Sequence, residues 1–514
     1  MASTPDDWST QSNDAFHISL VRPEDGASKT INTFHPKFTY PIFGDEESIF
    51  GYQGLKIHLR YNASDMRPGV LITYSKRFKA VGDVEPTDLK GLLADFLPEN
   101  AFQKSAAFDA AINDPNLKDF SPPGKLLQSH EEGDAAYEIW YGNSADPAIQ
   151  QLLRRLQILV ALFIESGTAI DDAEWGSGRW TVFLLYKKGP ATDDTTSPYT
   201  FMGYCTVYNY YPIIPKLPLA APGTQRKAIS LPVNSDTSIP FPDESLSDLP
   251  IRSRLSQFIV LPPFQGGGHG ARLYSTVFAH YQSDPQIVEI TIEDPNEAFD
   301  DLRDLNDLIY LRSLPEFQAL KINTDVDVRG KGRVPSDEII EQAPLNELRK
   351  KVKIAPRQFQ RLVEMQLLSA IPTNIRKSLE LEHKSVNTVE AKLKQYEYRL
   401  WCLLVKQRLY KHNKDSLIQL ERDERIDKLE EVVGAVETDY ARLLRKLDGG
   451  DEVEEEVEDE VAEEVEKEKG TLEVPEGSGS SRATTPGKRA AEGEGLDLSV
   501  RQSKKVKVEE AEGE

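Results

Sequence analysis

Cysteine is nearly missing from this chain of 514 residues, which has only Cys205 and Cys402. Neither has metal-ligand spacing around it, so zinc is not expected and a reducing compartment is. Long apolar runs are lacking too. The longest, Ile158-Leu-Val-Ala-Leu-Phe-Ile164, is too short to cross a bilayer, and the opening Met-Ala-Ser-Thr-Pro-Asp-Asp has neither a basic nor an apolar signal region. No membrane association or secretion is expected. Positive charge is in deficit, with 61 Lys and Arg against 84 Asp and Glu, for a net charge of -23. Direct nucleic-acid binding would require a basic face, so a cationic partner fits better. What is present is enough for two or three domains, because 39% of the residues are hydrophobic.

One stretch carries most of the chemical information. Gln265-Gly-Gly-Gly-His-Gly270 lies between an apolar strand, Gln257-Phe-Ile-Val-Leu261, and a helical run opening at Ala271. Glycines let the backbone approach an anion closely, and the start of the following helix supplies amides and a positive dipole end. A second strand, Ile287-Val-Glu-Ile-Thr-Ile292, ends in Glu293-Asp294. Gly266-x-Gly268-x-x-Ala271 also fits a dinucleotide fingerprint or a plain tight turn. Against the dinucleotide reading, no run of βα units follows. No Gly-Lys-Ser/Thr follows either, which excludes a Walker loop. A pyrophosphate-bearing cofactor without a required metal remains, of which acetyl-CoA is the commonest.

Ser256-Gln-Phe-Ile-Val-Leu-Pro-Pro-Phe-Gln-Gly-Gly-Gly-His-Gly270 resembles the acetyl-CoA motif of the GCN5-related N-acetyltransferase fold. More narrowly it is similar to the catalytic subunits of type B histone acetyltransferases. The same resemblance is carried, in the family's order, by Phe43-Gly-Asp-Glu-Glu-Ser-Ile-Phe-Gly-Tyr-Gln-Gly-Leu-Lys56, Phe163-Ile-Glu165, Gly203-Tyr-Cys-Thr-Val-Tyr-Asn-Tyr-Tyr211 and Ile290-Thr-Ile-Glu-Asp-Pro-Asn-Glu-Ala-Phe-Asp-Asp-Leu-Arg303. Together these segments span roughly residues 15 to 360. The resemblance implies a GCN5-related N-acetyltransferase core, and with the patterning along the chain the expectation is an α+β protein that adds an N-terminal α/β domain, a helical C-terminal region and a disordered acidic tail.

The chemistry asks for a base. A lysine amine with a pKa of about 10.4 is neutral in roughly one molecule in a thousand near neutral pH, and only the neutral form attacks a thioester. A carboxylate at the end of an apolar strand suits that task, which makes Glu293 the candidate. In the family the corresponding acid is the general base, with the equivalents of Asp294 and Glu165 in support. Glu293-Asp294-Pro295-Asn296 also reads as a helix cap, with Asp294 ordering the turn. The resemblance further implies a cofactor wall of Phe258, Ile259, Val260, Gln265, Gly266, Gly267, Gly268, His269, Gly270 and Ala271, with Asn296. Cys205 has no histidine close in sequence to activate it and reads as a core residue.

For the substrate, the resemblance points to the amino-terminal tail of histone four, contacted by Asp45, Glu46 and Glu47 and by Tyr208, Asn209 and Tyr210. An aromatic before the Thr181 strand belongs to the same cleft. Trp180 abuts that strand directly, and Trp175 is the alternative. The family also works with a WD-repeat β-propeller, for which the Pro-, Ser- and Asp-rich insertion 212–250 offers a docking element; simple disorder is the other reading.

Residues 1–14 read as disordered, 15–125 as a separate α/β domain, 126–335 as the acetyltransferase core and 336–448 as helical. A helix is expected over 147–165. Leu429, Val432, Val433, Val436, Tyr440 and Leu443 form an apolar stripe, expected in a helical hairpin, with a partner-binding coiled coil as the alternative. From 449 to 514 the tail combines Asp451-Glu-Val-Glu-Glu-Glu-Val-Glu-Asp-Glu460, a solvated spacer or a lure for histones, with basic Lys488-Arg489 and Lys504-Lys-Val-Lys507. These clusters resemble a nuclear-import signal, so both cytoplasm and nucleus are expected. An acidic histone chaperone without catalysis, and an acetyltransferase for N-terminal or small amines, are the rival functions.

Overall fold

The computed structural model describes residues 8–175, 178–190, 196–211, 250–328, 334–377 and 388–448. The expectations for the acidic tail, its basic clusters and nearly all of the 212–250 insertion lie outside the described residues. The chain divides into two compact units. The first comprises Met1–Pro295 and takes back Arg349–Ala355; the second comprises Asn296–Leu348 and the chain from Pro356.

The first unit holds two main sheets. Strands β1 (Phe16–Glu24), β2 (Ala27–Phe34), β3 (Lys56–Asn62) and β4 (Pro68–Thr73) form one, in the order β2-β1-β3-β4. Alternation sets its inner face: Phe16, Ile18 and Leu20 of β1 and Ile57, Leu59 and Tyr61 of β3 are fully buried. The other sheet contains β5 (Lys125–Glu132), β6 (Ala135–Asn143), β7 (Trp180–Lys188), β8 (Tyr199–Tyr210), β9 (Ile251–Val260) and β10 (Ile287–Ile292). Its order is β10-β9-β8-β7-β6-β5, antiparallel throughout except for the parallel β9/β10 pair.

One core serves both sheets. Phe16, Ile18 and Leu59 of the first pack in the same cluster as Leu184, Tyr204 and Ile259 of the second. Helices α1 (Pro147–Leu156) and α2 (Ile158–Phe163) contribute Leu153 and Leu159 to it. Arg155 of α1 reaches Asp65 at 3.0 Å, and Tyr61 donates to the Arg155 carbonyl at 2.8 Å, both within the buried interior. The segment 15–125 is therefore not a domain apart, because its apolar face is covered by α1, α2 and the second sheet. Residues 8–14 are also ordered. Ser9–Gln11 pairs with Ser48–Phe50, and the Ser12 amide donates to the Glu47 carbonyl at 2.8 Å, a long-range pairing that composition does not reveal. The helix expected over 147–165 is interrupted at Gln157 and ends at Phe163. The Gln157 side chain is engaged instead, accepting from the Ile170 amide at 2.8 Å.

Helix α3 (His269–Ser283) joins β9 to β10. On the far side of β10, Ile290 bridges to Ile354 and donates its amide to the Lys353 carbonyl at 2.8 Å. The Lys353 ammonium caps the end of α3, donating to the carbonyls of Gln282 at 2.7 Å and Asp284 at 2.5 Å.

The second unit is built from α4 (Glu297–Arg312), α5 (Pro356–Ser369), α6 (Val389–His412) and α7 (Arg422–Leu447), with shorter helices. It starts at Asn296 and not near residue 336. Arg442 of α7 makes a two-pronged pair with Asp301 of α4 at 2.6 and 2.8 Å, and Arg361 of α5 pairs with Asp304 of α4. The apolar stripe of α7 buries Val433, Tyr440 and Leu443. Tyr440 and Arg408 of α6 both donate to the Glu364 carboxylate of α5, at 3.0 and 2.8 Å, so α7 packs in a helical bundle of this chain.

Candidate active site

β9 and β10 part company at the site. Their parallel register runs from Ile251 paired with Ile287 to Leu255 paired with Ile292, and the Glu293 amide still donates to the Leu255 carbonyl at 2.8 Å. Beyond that point β9 continues through Ser256 to Val260, and no described strand flanks it on that side. The stretch holding Phe258, Ile259 and Val260 is thus a sheet edge opened by divergence. On its other side the strand is held tightly against β8. A Cβ on Gly203 would come within 2.3 Å of the Ile259 carbonyl oxygen, so only glycine permits this approach.

The register between β8 and β9 slips beside Glu293. Cys205 pairs with Phe258 but Val207 with Leu255, so Ser256 and Gln257 together oppose Thr206. The bulge is stitched by the Thr206 hydroxyl, which accepts from the Gln257 amide at 3.1 Å. Gln257 then donates its side-chain amide to Gln157 at 3.2 Å and to the Thr168 carbonyl at 3.1 Å. Ser256 donates its hydroxyl to Glu293 Oε2 at 2.6 Å, while Arg254 lies 3.5 Å from Oε1. The Glu293 side chain remains 39% exposed, so one carboxylate oxygen is anchored and the group is still accessible.

After β9, a short 3₁₀ turn at Pro262–Phe264 leads into the exposed glycines. Gly266 at φ 80° and Gly268 at φ 71° adopt the left-handed region, and nothing lies within 4 Å of where either Cβ would stand. Gln265 braces the loop by donating to the Val260 carbonyl at 2.7 Å. Gly267 would bring a Cβ to 3.1 Å from the His269 ring. His269, Gly270 and Ala271 form the first turn of α3, which opens without a side-chain cap, so its amides have no intrahelical partner. The His269 ring lies against Tyr137 at 4.6 Å. Burial, aided by the Arg272 cation, holds its pKa below the ordinary histidine value.

The expected substrate residues divide. Trp180 and Tyr208 are cross-strand partners with ring centroids 5.0 Å apart, and Tyr208 in turn pairs with Arg254 of β9. Tyr210 stacks on Tyr208 at 6.4 Å. A row therefore runs from Trp180 through Tyr208 and Arg254 to Glu293. Glu174 accepts from the Trp180 indole at 2.9 Å, and the Trp175 side chain lies outside the described residues. Asn209 accepts a hydrogen bond from Ser253 at 2.8 Å. Asp45 and Glu46 are exposed, but Glu47 is not free for a ligand: its carboxylate accepts from Asn13 at 2.7 Å and from the amides of Thr39 at 2.7 Å and Tyr40 at 3.1 Å. Glu165 stands exposed just past α2, in the loop that Gln257 ties to β9 through Thr168.

The helix cap expected in Glu293-Asp294-Pro295-Asn296 resolves to one residue, and Cys205 lies where it was expected. Asp294 is not the helix cap. Asn296 is, its side chain accepting from the Phe299 amide at 2.9 Å, and that oxygen is thereby occupied. Cys205 is a core residue whose thiol burial pushes well above its ordinary pKa. Ser256, Gln257, Thr206 and Arg254 were not expected at the site. The signal for Arg254 and Ser256 was their alternation with buried Ser253, Leu255 and Gln257 on one strand.

Residues 8–165 match the family model described as histone acetyl transferase HAT1 N-terminus, and 327–372 that of fungal HAT1, C-terminal. The chain is 45% identical over 458 residues to the histone acetyltransferase type B catalytic subunit of Gibberella zeae, covering 87% of this chain and 92% of that protein. The chain belongs to this family. It is an acetyltransferase, and its relationship to proteins of the same description extends to Neurospora crassa, at 44% over 462 residues, and to Cryptococcus neoformans, at 32% over 475 residues. The latter alignment covers 86% of this chain and 99% of the relative. Glu47 and Glu165 fall in the first matched segment of this acetyltransferase, and Arg349–Ala355 in the second.

Proposed function

We propose that this acetyltransferase transfers acetyl from acetyl-CoA to lysine side chains in the amino-terminal tail of free histone four, with Glu293 as general base. The observation that carries the reading is the position of Glu293. Its carboxylate stands where β10 diverges from β9, between the opened strand edge and an aromatic row. The β9-α3-β10 unit supports a GCN5-related core.

The residues present fit acetyl-CoA. Open space around Gly266 and Gly268 and the uncapped amides of α3 suit a pyrophosphate, so Gln265 through Ala271 would hold it. The edge at Phe258, Ile259 and Val260 would take the pantetheine arm. Bound there, acetyl-CoA supplies an activated acetyl group and a thiolate leaving group. Glu293 draws the proton from the lysine ammonium onto its accessible oxygen, leaving a neutral nitrogen nucleophile. Tyr208 and Tyr210 line the approach for the aliphatic part of a lysine, with buried Trp180 backing Tyr208, and exposed Asp45 and Glu46 suit its cationic neighbours.

Glu293→Gln tests this directly, since it keeps size and hydrogen bonding but accepts no proton. A loss of kcat of about a hundredfold to ten-thousandfold is expected, with acetyl-CoA affinity little changed. Raising the pH should restore part of the rate, because more lysine is then neutral. Near-normal turnover by this variant at neutral pH, while Glu165→Gln abolishes it, would reject Glu293. Panels of histone-four peptide, N-terminal amines and polyamines check the substrate, and preference for either amine class would overturn the histone reading.

A further inference from the structure

We propose that Ser256 is a positioning residue for acetyl transfer, fixing the Glu293 carboxylate so that a single oxygen faces the amine. The inference rests on Glu293 being the base. A glutamate at a strand end has three side-chain torsions, and each one left free lowers the fraction of time the carboxylate is aimed correctly. Here the Ser256 hydroxyl donates to Oε2 at 2.6 Å and the Glu293 amide is tied to Leu255 at 2.8 Å, so both ends of the residue are fastened to β9. Arg254 flanks the other oxygen at 3.5 Å from the same strand.

The arrangement coincides with the bulge. Ser256 and Gln257 together oppose Thr206, and these adjacent side chains of β9 hold separate partners, Ser256 the carboxylate and Gln257 the loop after Glu165. Thr206 pins the bulge through the Gln257 amide at 3.1 Å.

The test compares Ser256→Ala, Ser256→Thr and Glu293→Gln in the full-length protein by steady-state kinetics on acetyl-CoA and histone-four peptide. Ser256→Ala should lower kcat about tenfold while leaving both KM values within about twofold, the split expected when only transition-state geometry is lost. Ser256→Thr, which restores the hydroxyl, should recover most of the rate. If Glu293→Gln is crippled but Ser256→Ala turns over normally, the positioning role is wrong and the base assignment stands. If Ser256→Thr is as slow as Ser256→Ala, packing and not the hydroxyl is responsible, and the proposal fails. If Glu293→Gln is fully active, the failure lies in the base assignment itself and takes the positioning role with it.

Discussion

Asp294 stands at φ 30°, in the region where only glycine, asparagine and aspartate are at all common. That single left-handed residue turns the chain out of β10 and releases Asn296 to cap α4 through the Phe299 amide. Two polar residues near one helix start thus have different tasks, one conformational and one hydrogen-bonding. Asn296→Ala should destabilise the protein by about 1 kcal/mol, whereas Asp294→Asn should change stability by no more than a few tenths, both read from denaturant midpoints. A larger loss for Asp294→Asn would return the cap to Asp294. The sequence announced a cap in Glu293-Asp294-Pro295-Asn296 but not its owner, because three of the four side chains are chemically suited and only the backbone angle decides. The same limit hid the Ser256 hydroxyl: its type and spacing were visible, but the pairing of β9 with β10 that brings Glu293 to it was not.

Among the elements, β10 was legible to its end residues, since Ile287 to Ile292 is a compact apolar run with β-branched residues. β9 was half visible. Its first half, Ile251-Arg-Ser-Arg-Leu-Ser256, mixes cations into the alternation and reads as loop until β10 and β8 are seen on either side. The docking of residues 9–13 was invisible because its contacts are carried in part by Glu47, a residue that the family resemblance assigned to the substrate surface. Amides of Thr39 first, with Asn13 and Tyr40, hold the Glu47 carboxyl below the ordinary value of 4.5. A depressed acid contributes stability above its unfolded pKa and loses it as pH falls through the lower folded value. The protection factors of the Thr39 and Tyr40 amides should therefore fall in the wild type as pH drops below 4.5 and through the lower folded value. Glu47→Gln should exchange faster at neutral pH and show little of that acid dependence. Wild-type protection factors that stay flat down to the acid unfolding of the whole protein would remove this role of Glu47.

The whole molecule carries a net charge of -23 and, on the proposed reading, serves a basic peptide and an anionic co-substrate with one cleft. The two should respond oppositely to salt. Screening over a Debye length of about 10 Å at 0.1 M weakens attraction for the peptide and relieves repulsion of acetyl-CoA. Raising ionic strength from about 0.05 to about 0.3 M should increase the KM for histone-four peptide about three- to tenfold while the KM for acetyl-CoA holds or falls. A peptide KM indifferent to salt would mean that recognition is aromatic and not electrostatic. Charge was legible at this scale, but the partition into units was not, because the chain leaves the first unit at Pro295 and returns to it at Arg349. On a ribosome, β10 emerges well before Ile354, the residue that bridges to Ile290, and before Lys353, which ends α3. The nascent sheet must therefore wait, with one margin bare, while the helices up to Leu348 are made. A stop codon or splice error anywhere from 296 to 354 would strip this margin as well as the helices, leaving an unfinished sheet exposed to chaperones and proteases.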